Sequence, residues 1–324
     1  MAGVLPETRI NVSWPGVAAG RHAPAGKSGK TGRRVMNGDG MQGDGVVGLP
    51  AAGIPAERHE AFEIVAGESR SGVLVLCDHA SNRIPPEYGN LGLPPGELER
   101  HIAWDIGAEG VARRLAARLG APAVISRFSR LLVDPNRGLD DPTILMRISD
   151  GAIVPGNAAA DAQEKRRRLE RFYLPYDAAI SRTIERFRAL GVNPALVSVH
   201  SFTPVWRGVR RPWHAGLLYD PRDPEFSVRL MEALAATAPD LVIGDNQPYR
   251  GGLSGDTMDR HGFVKGLPHA LVEIRQDLIQ DAAGQELWAQ RLELATRAAL
   301  DAIGGVQEYR MPEAAGDSHK AAGT

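Results

Sequence analysis

Between residues 73 and 303, short all-apolar runs alternate with stretches in which apolar residues recur at helical spacing. βαβ units on a mostly parallel sheet leave this pattern. Residues 73–77 are apolar throughout, as a strand covered on both faces requires. Residues 123–125, 131–133, 195–199, 217–219, 241–243 and 270–274 predict further strands in the same way. Over 105–119, Ile106, Val111, Leu115 and Leu119 gather near one face while Arg113, Arg114 and Arg118 lie off it, which predicts an amphipathic helix. A long charged helix is expected over 159–190, bent at Pro175, and two more over 224–236 and 283–303. The expected fold class is α/β: a single domain with a mixed, mostly parallel central sheet flanked by helices.

Outside this region the pattern stops. Residues 1–55 are rich in Gly, Pro, Ala and basic side chains and cannot bury enough apolar surface to offset chain entropy. They are read as a tail, as are residues 309–324, leaving a domain over 56–308. Gly26-Lys27-Ser28 resembles part of a phosphate loop, but no strand pattern precedes it, and Arg21 stands where the first glycine is required.

Composition narrows the possible partners. With 38 Lys+Arg against 39 Asp+Glu the formal net charge is -1, so no global field favours nucleic acid or an anionic membrane surface. The basic run Lys165–Arg168 shares its helix with Glu164 and Glu170 and reads as a solvated face. No apolar run reaches the roughly 18 residues needed to cross a bilayer, and the amino terminus lacks the apolar core of a secretory signal. The single cysteine, Cys77, excludes an internal disulfide and any Cys-rich zinc site, and suits a reducing, cytoplasmic location.

In open α/β sheets ligands bind beyond the carboxyl ends of the strands. Three polar positions follow or close apolar runs: His79 after the first strand, His200 after Val199, and Glu273 in the last strong strand. Two histidines and a carboxylate, with no thiol to hand, make a nitrogen-and-oxygen site of the kind that suits catalytic Zn²⁺. Asp105 stands at the start of a predicted helix, where an aspartate suits a cap and dipole partner without any metal. His101, His261 and Arg275 are further candidates for the walls of the site, each equally able to serve packing.

The pattern Ser198-Val199-His200-Ser201 with a downstream strand carrying Glu273 resembles zinc carboxypeptidases and the related aspartoacylases. The segment Ser129-Arg130-Leu131-Leu132-Val133-Asp134-Pro135-Asn136-Arg137 is similar to the S-R-x-x-x-D-x-N-R of N-formylglutamate amidohydrolases. The order of Asp78-His79-x-Ser81, Asp105, Arg130 to Arg137, His200, His261-Gly262-Phe263 and Glu273-Ile274 resembles that family over about 73–280. The resemblance implies a carboxypeptidase-like sheet and one Zn²⁺ held by His79, His200 and a downstream aspartate in place of a glutamate, Asp105 being the expected one and Asp78 its chief rival. It also implies Glu273 as general acid/base, Arg130 polarising the scissile carbonyl, and Asn136 and Arg137 holding a substrate carboxylate, with Ser81 and His261 as further substrate contacts. The implied reaction is hydrolysis of a small N-acyl acidic amino acid, N-formyl-L-glutamate giving formate and L-glutamate in histidine breakdown. Two departures stand out: Asn82 stands where carboxypeptidases carry the metal-binding Glu of H-x-x-E, a Glu that the formylglutamate family also lacks, and Asp78-His79-Ala80-Ser81 replaces the Pro-His-Ser-Gly of that family's best-known members.

Overall fold

A computed structural model of the chain describes residues 53–310. The expected tails over 1–55 and 309–324, with Gly26-Lys27-Ser28, lie outside these residues except at their inner ends. There the chain is already tied down. Gly53–Ile54 pairs antiparallel with Gly67–Glu68, and Ile54 is 1% exposed, its apolar side chain taken into the core.

The central sheet has eight strands: β1 (Glu57–Arg58), β2 (Phe62–Val65), β3 (Val73–Cys77), β4 (Ala123–Ser126), β5 (Ala195–Phe202), β6 (Ala215–Leu218), β7 (Ile243–Asp245) and β8 (His269–Arg275). Their spatial order is β7-β6-β8-β5-β3-β4-β2-β1. The four middle strands β8, β5, β3 and β4 run parallel, while β6 and β2 join them antiparallel. Among the described residues, five α-helices of seven residues or more accompany the sheet: α1 (Ala108–Leu119), α2 (Ala162–Arg168), α3 (Leu174–Ala189), α4 (Glu225–Thr237) and α5 (Ala282–Ala302).

The unbroken apolar run of β3 follows from this layering. Val73, Val75 and Cys77 pack with Val111 and Leu115 of α1 and Trp288 and Leu292 of α5 on one face. Leu74 and Leu76 pack with Ile180, Ile184 and Phe187 of α3 on the other. A strand whose side chains alternate between two covered faces has no position left for a polar residue.

The structure differs from the sequence pattern in four places. The helix expected from residue 105 starts at Ala108 and leaves Asp105 in the turn before it. The helix expected over 159–190 is interrupted by a π-helical turn at Leu169–Tyr173, next to Pro175, which lacks an N–H to continue the ladder. The strand expected over 241–243 is displaced to β7, where Ile243 pairs with Ala215.

Residues 131–133 form no strand; they are a buried irregular segment whose backbone is satisfied by side chains. Asn157 Nδ2 donates to the carbonyl of Leu131 at 2.8 Å, and Arg168 Nη1 donates to that of Leu132 at 3.0 Å. Arg168 is therefore not on a solvated face: it is 3% exposed and also donates to Asn157 Oδ1 and to Glu164. The run of charges held one member whose partners lie in the interior, which charge counting does not distinguish.

Candidate metal and catalytic site

The site forms where the middle strands end. Asp78 and His79 follow the last residue of β3, while His200 and Glu273 sit within β5 and β8 as Cα partners in the parallel pairing. Asp105 is brought in by its backbone N–H, which donates to the carbonyl of His79 at 2.9 Å. The loop after β4 supplies Arg130, Asp134, Asn136 and Arg137.

Oδ2 of Asp105 lies 2.9 Å from Nδ1 of His200 and 3.4 Å from Nδ1 of His79, and a ligand atom from each residue lies within 4.8 Å of the others. The outer nitrogen of each ring faces a buried carboxylate: His79 Nε2 is 2.8 Å from Oδ1 of Asp134, and His200 Nε2 is 3.0 Å from Oδ2 of Asp78. Such carboxylate–histidine pairs fix ring orientation and leave the other nitrogen free to ligate. Asp78, the rival third ligand, is occupied elsewhere. Its oxygens accept from the hydroxyls of Tyr176 at 3.0 Å, Ser198 at 2.9 Å and Thr257 at 2.8 Å.

Electrostatics follow from four buried carboxylates, Asp78, Asp105, Asp134 and Glu273, set against the guanidinium of Arg130, which pairs with Asp105 and Asp134. Burial works against a charge on His200, yet hydrogen bonds to Asp105 and Asp78 carry its pKa up to about 10. Burial pushes the Glu273 carboxyl up to about 7, with Asp105 adding to the rise and His200 opposing it. Oε2 of Glu273 is buried and has no hydrogen-bond partner. Arg130 donates through Nη1 to Asp105 at 3.3 Å and through Nη2 to Asp134 at 3.1 Å, and its buried Nε has no partner. Beside these groups opens a cleft of about 390 Å³, lined by His79, Asp105, His200, Glu273, Arg130, Asn136 and Arg137.

The N-formylglutamate amidohydrolase family model matches residues 71–280. The chain belongs to this family. A solved structure of a gene product from Agrobacterium tumefaciens is similar at 36% identity and a TM-score of 0.70, over 76% of this chain and 96% of its own. A solved N-formylglutamate amidohydrolase from Ralstonia eutropha JMP134 shares the fold, with 20% identity and a TM-score of 0.54 over 74% of this chain and 97% of its own. No curated protein matches the chain. As an amidohydrolase family member it acts as a hydrolase, with a small-molecule amide as substrate. None of its described helices is long and apolar enough to cross a membrane.

Within the amidohydrolase, the residues expected as ligands, base and oxyanion donor converge, but two expected substrate contacts stand apart. Ser81 is outside the cleft lining; its hydroxyl accepts from the backbone N–H of Arg83 at 3.1 Å. His261 is also outside it, buried with Nε2 2.7 Å from Oδ1 of Asp177. His101 does line the cleft, whereas Arg275 is turned toward Asp277 and the carbonyl of Trp213. Sequence reasoning assigned no role to Asp134, although its position four residues after Arg130 was visible in the motif. Trp206, in a two-residue strand of a hairpin too short to show a period, and Tyr249, on a loop, also line the cleft.

The donor set fits a divalent cation. Nδ1 of His79 is buried without a hydrogen-bond partner and turned toward the oxygen of Asp105. Two imidazoles and a carboxylate are a combination zinc accepts while keeping a position open. The excess of buried carboxylates over guanidinium charge supplies the matching field.

Proposed function

We propose that the protein hydrolyses the amide of an N-acyl acidic amino acid with zinc held by His79, Asp105 and His200, N-formyl-L-glutamate being the reference substrate. The observation that carries this reading is the unpartnered, buried Oε2 of Glu273 facing the same cleft as the three-residue group. The chemistry such an ion supplies when bound is Lewis acidity toward water and a carbonyl oxygen.

This chain's own residues account for the rest. Glu273, buried and with Oε2 free of any hydrogen-bond partner, takes a proton from the attacking water and returns it to the leaving amine. Arg130, fixed by Asp105 and Asp134, presents its remaining donor to the acyl oxygen as negative charge develops there. Asn136 and Arg137 hold a substrate carboxylate, for which the guanidinium fork is shaped. The carbonyl of Arg137 accepts from Tyr173 at 2.8 Å and from Arg260 at 3.3 Å, which sets the loop in place. His261 contributes from outside the cleft, sharing Asp177 with Arg260. The products from the reference substrate are formate and L-glutamate, a step suited to histidine catabolism in the cytoplasm.

The test is incubation of zinc-loaded protein with N-formyl-L-glutamate, N-acetyl-L-glutamate and N-formyl-L-aspartate, following release of the free amino acid. Turnover of at least one supports the assignment, and turnover of none removes N-formyl-L-glutamate as the reference substrate.

A further inference from the structure

Part of the cleft wall is built for something a formyl group does not need. Phe202 at the end of β5, Trp206 from the hairpin Val205–Arg210, Tyr249 and His101 all line it. The rings of His101 and Trp206 meet edge to face with centroids 6.0 Å apart. Behind them lies Arg211, 8% exposed, its guanidinium carbon 5.6 Å from the ring of Phe202, 5.3 Å from Trp206 and 5.1 Å from Tyr249. Nη1 of Arg211 also donates to the hydroxyls of Tyr249 at 3.2 Å and Thr203 at 3.3 Å. Among the described residues no carboxylate pairs with this arginine. Its buried charge is offset by aromatic faces and oxygens, so it acts as a hub that holds three rings from three segments in one arrangement.

An aromatic wall fixed in advance, in a cleft also lined by Ile102, Met146 and Leu253, is a surface for burying an apolar group. The wall is separate from the loop expected to hold the substrate carboxylate. Asn136 and Arg137 are tied to Thr257, Tyr173 and Arg260, none of which belongs to the wall. With a carboxylate on that loop and the scissile carbon beside Glu273, the acyl group is the one remaining part of an N-acyl-L-glutamate that can be apolar and so meet the rings.

We propose that the preferred substrates are N-acyl-L-glutamates whose acyl group is bulky and apolar, lying against Trp206 and Tyr249, with Arg211 as the residue that positions both. This deepens the proposed function and rests on it. Hydrolysis balances as for any amide: water adds across the C–N bond, giving an apolar carboxylic acid and L-glutamate.

The test separates binding from turnover. Calorimetry on the zinc-loaded Glu273→Gln protein compares N-benzoyl-L-glutamate with N-formyl-L-glutamate, and the specificity constants of wild type are measured for both. Burial of a phenyl group predicts binding about 10- to 100-fold tighter for the benzoyl compound. Trp206→Ala should bring the ratio of the two affinities near one, and Trp206→Phe should keep most of it. Equal or weaker binding of the benzoyl compound to the Glu273→Gln protein overturns the proposal. So does tighter binding of N-formyl-L-phenylalanine, which would set the wall against the amino-acid side chain. If the benzoyl preference in binding holds while wild type hydrolyses neither compound, the hydrolytic reading fails and the ligand class stands.

Discussion

Glu273 stands opposite His200 as its Cα partner in the parallel pairing of β5 and β8, with Oε2 buried and unpartnered. Neighbouring strands set the spacing between them, so a base and an imidazole are aligned without loop flexibility. Register decides this, since a one-residue slip in either strand would turn one of the two to the opposite face of the sheet.

Replacing Glu273 with Gln keeps the shape and removes the base. Turnover should slow by about 10²- to 10⁴-fold, the effect of losing a general base, with zinc content unchanged by metal analysis. A variant that loaded zinc and hydrolysed as fast as wild type would remove Glu273 from the reaction.

The same carboxyl makes stability depend on pH in the metal-stripped protein. Its folded pKa is raised from 4.5 to about 7, so between those values the native state holds the proton more tightly than the unfolded chain. Stability from this group is therefore present below about 4.5 and lost as pH rises through about 7, by up to about 3 kcal/mol. Urea unfolding of chelator-treated protein should show wild type losing stability relative to Glu273→Gln between about pH 5 and about pH 8. A constant difference between the two would contradict the assignment.

Asp78 accepts three hydroxyl hydrogen bonds and faces Nε2 of His200. Asp78→Asn supplies an N–H where an acceptor is needed and weakens the hold on the imidazole. Zinc affinity should drop about 10- to 100-fold, the usual loss when a ligand's outer partner is changed. Competition with a chromogenic chelator measures this, and unchanged affinity would mean that His200 is held by other contacts.

Arg168→Met leaves the carbonyl of Leu132 and Oδ1 of Asn157 without their donor. Unsatisfied buried acceptors predict a loss of about 2–4 kcal/mol in denaturant unfolding. A loss below about 0.5 kcal/mol would show that water or a neighbour replaces the guanidinium.

The strands that carry the site were legible because a doubly covered strand is mostly apolar until its carboxyl end, so a charge or imidazole within or just after it stands out. Asp78, His79 and His200 announced themselves by breaking such runs. Glu273 stood out as a charge inside one. Asp105 was harder, since the features that suit a helix cap and a ligand are the same. Residues 131–133 misled because their apolar character reports burial, and burial here comes with side-chain hydrogen bonds from Asn157 and Arg168 instead of strand partners. Ser81 and His261 lay in matching motifs, but a motif does not fix which way a side chain turns. Trp206 comes from a two-residue hairpin strand and Tyr249 from a loop, neither long enough to show a period that marks which residues face a cavity.

The segment that presents Arg130 and Asp134 takes its shape from donors 26 and 36 positions further along the chain. It is in this sense not a self-contained cassette. Transplanting residues 129–137 into another scaffold would carry the catalytic letters without their mould, and a working graft would have to bring Asn157 and Arg168 along.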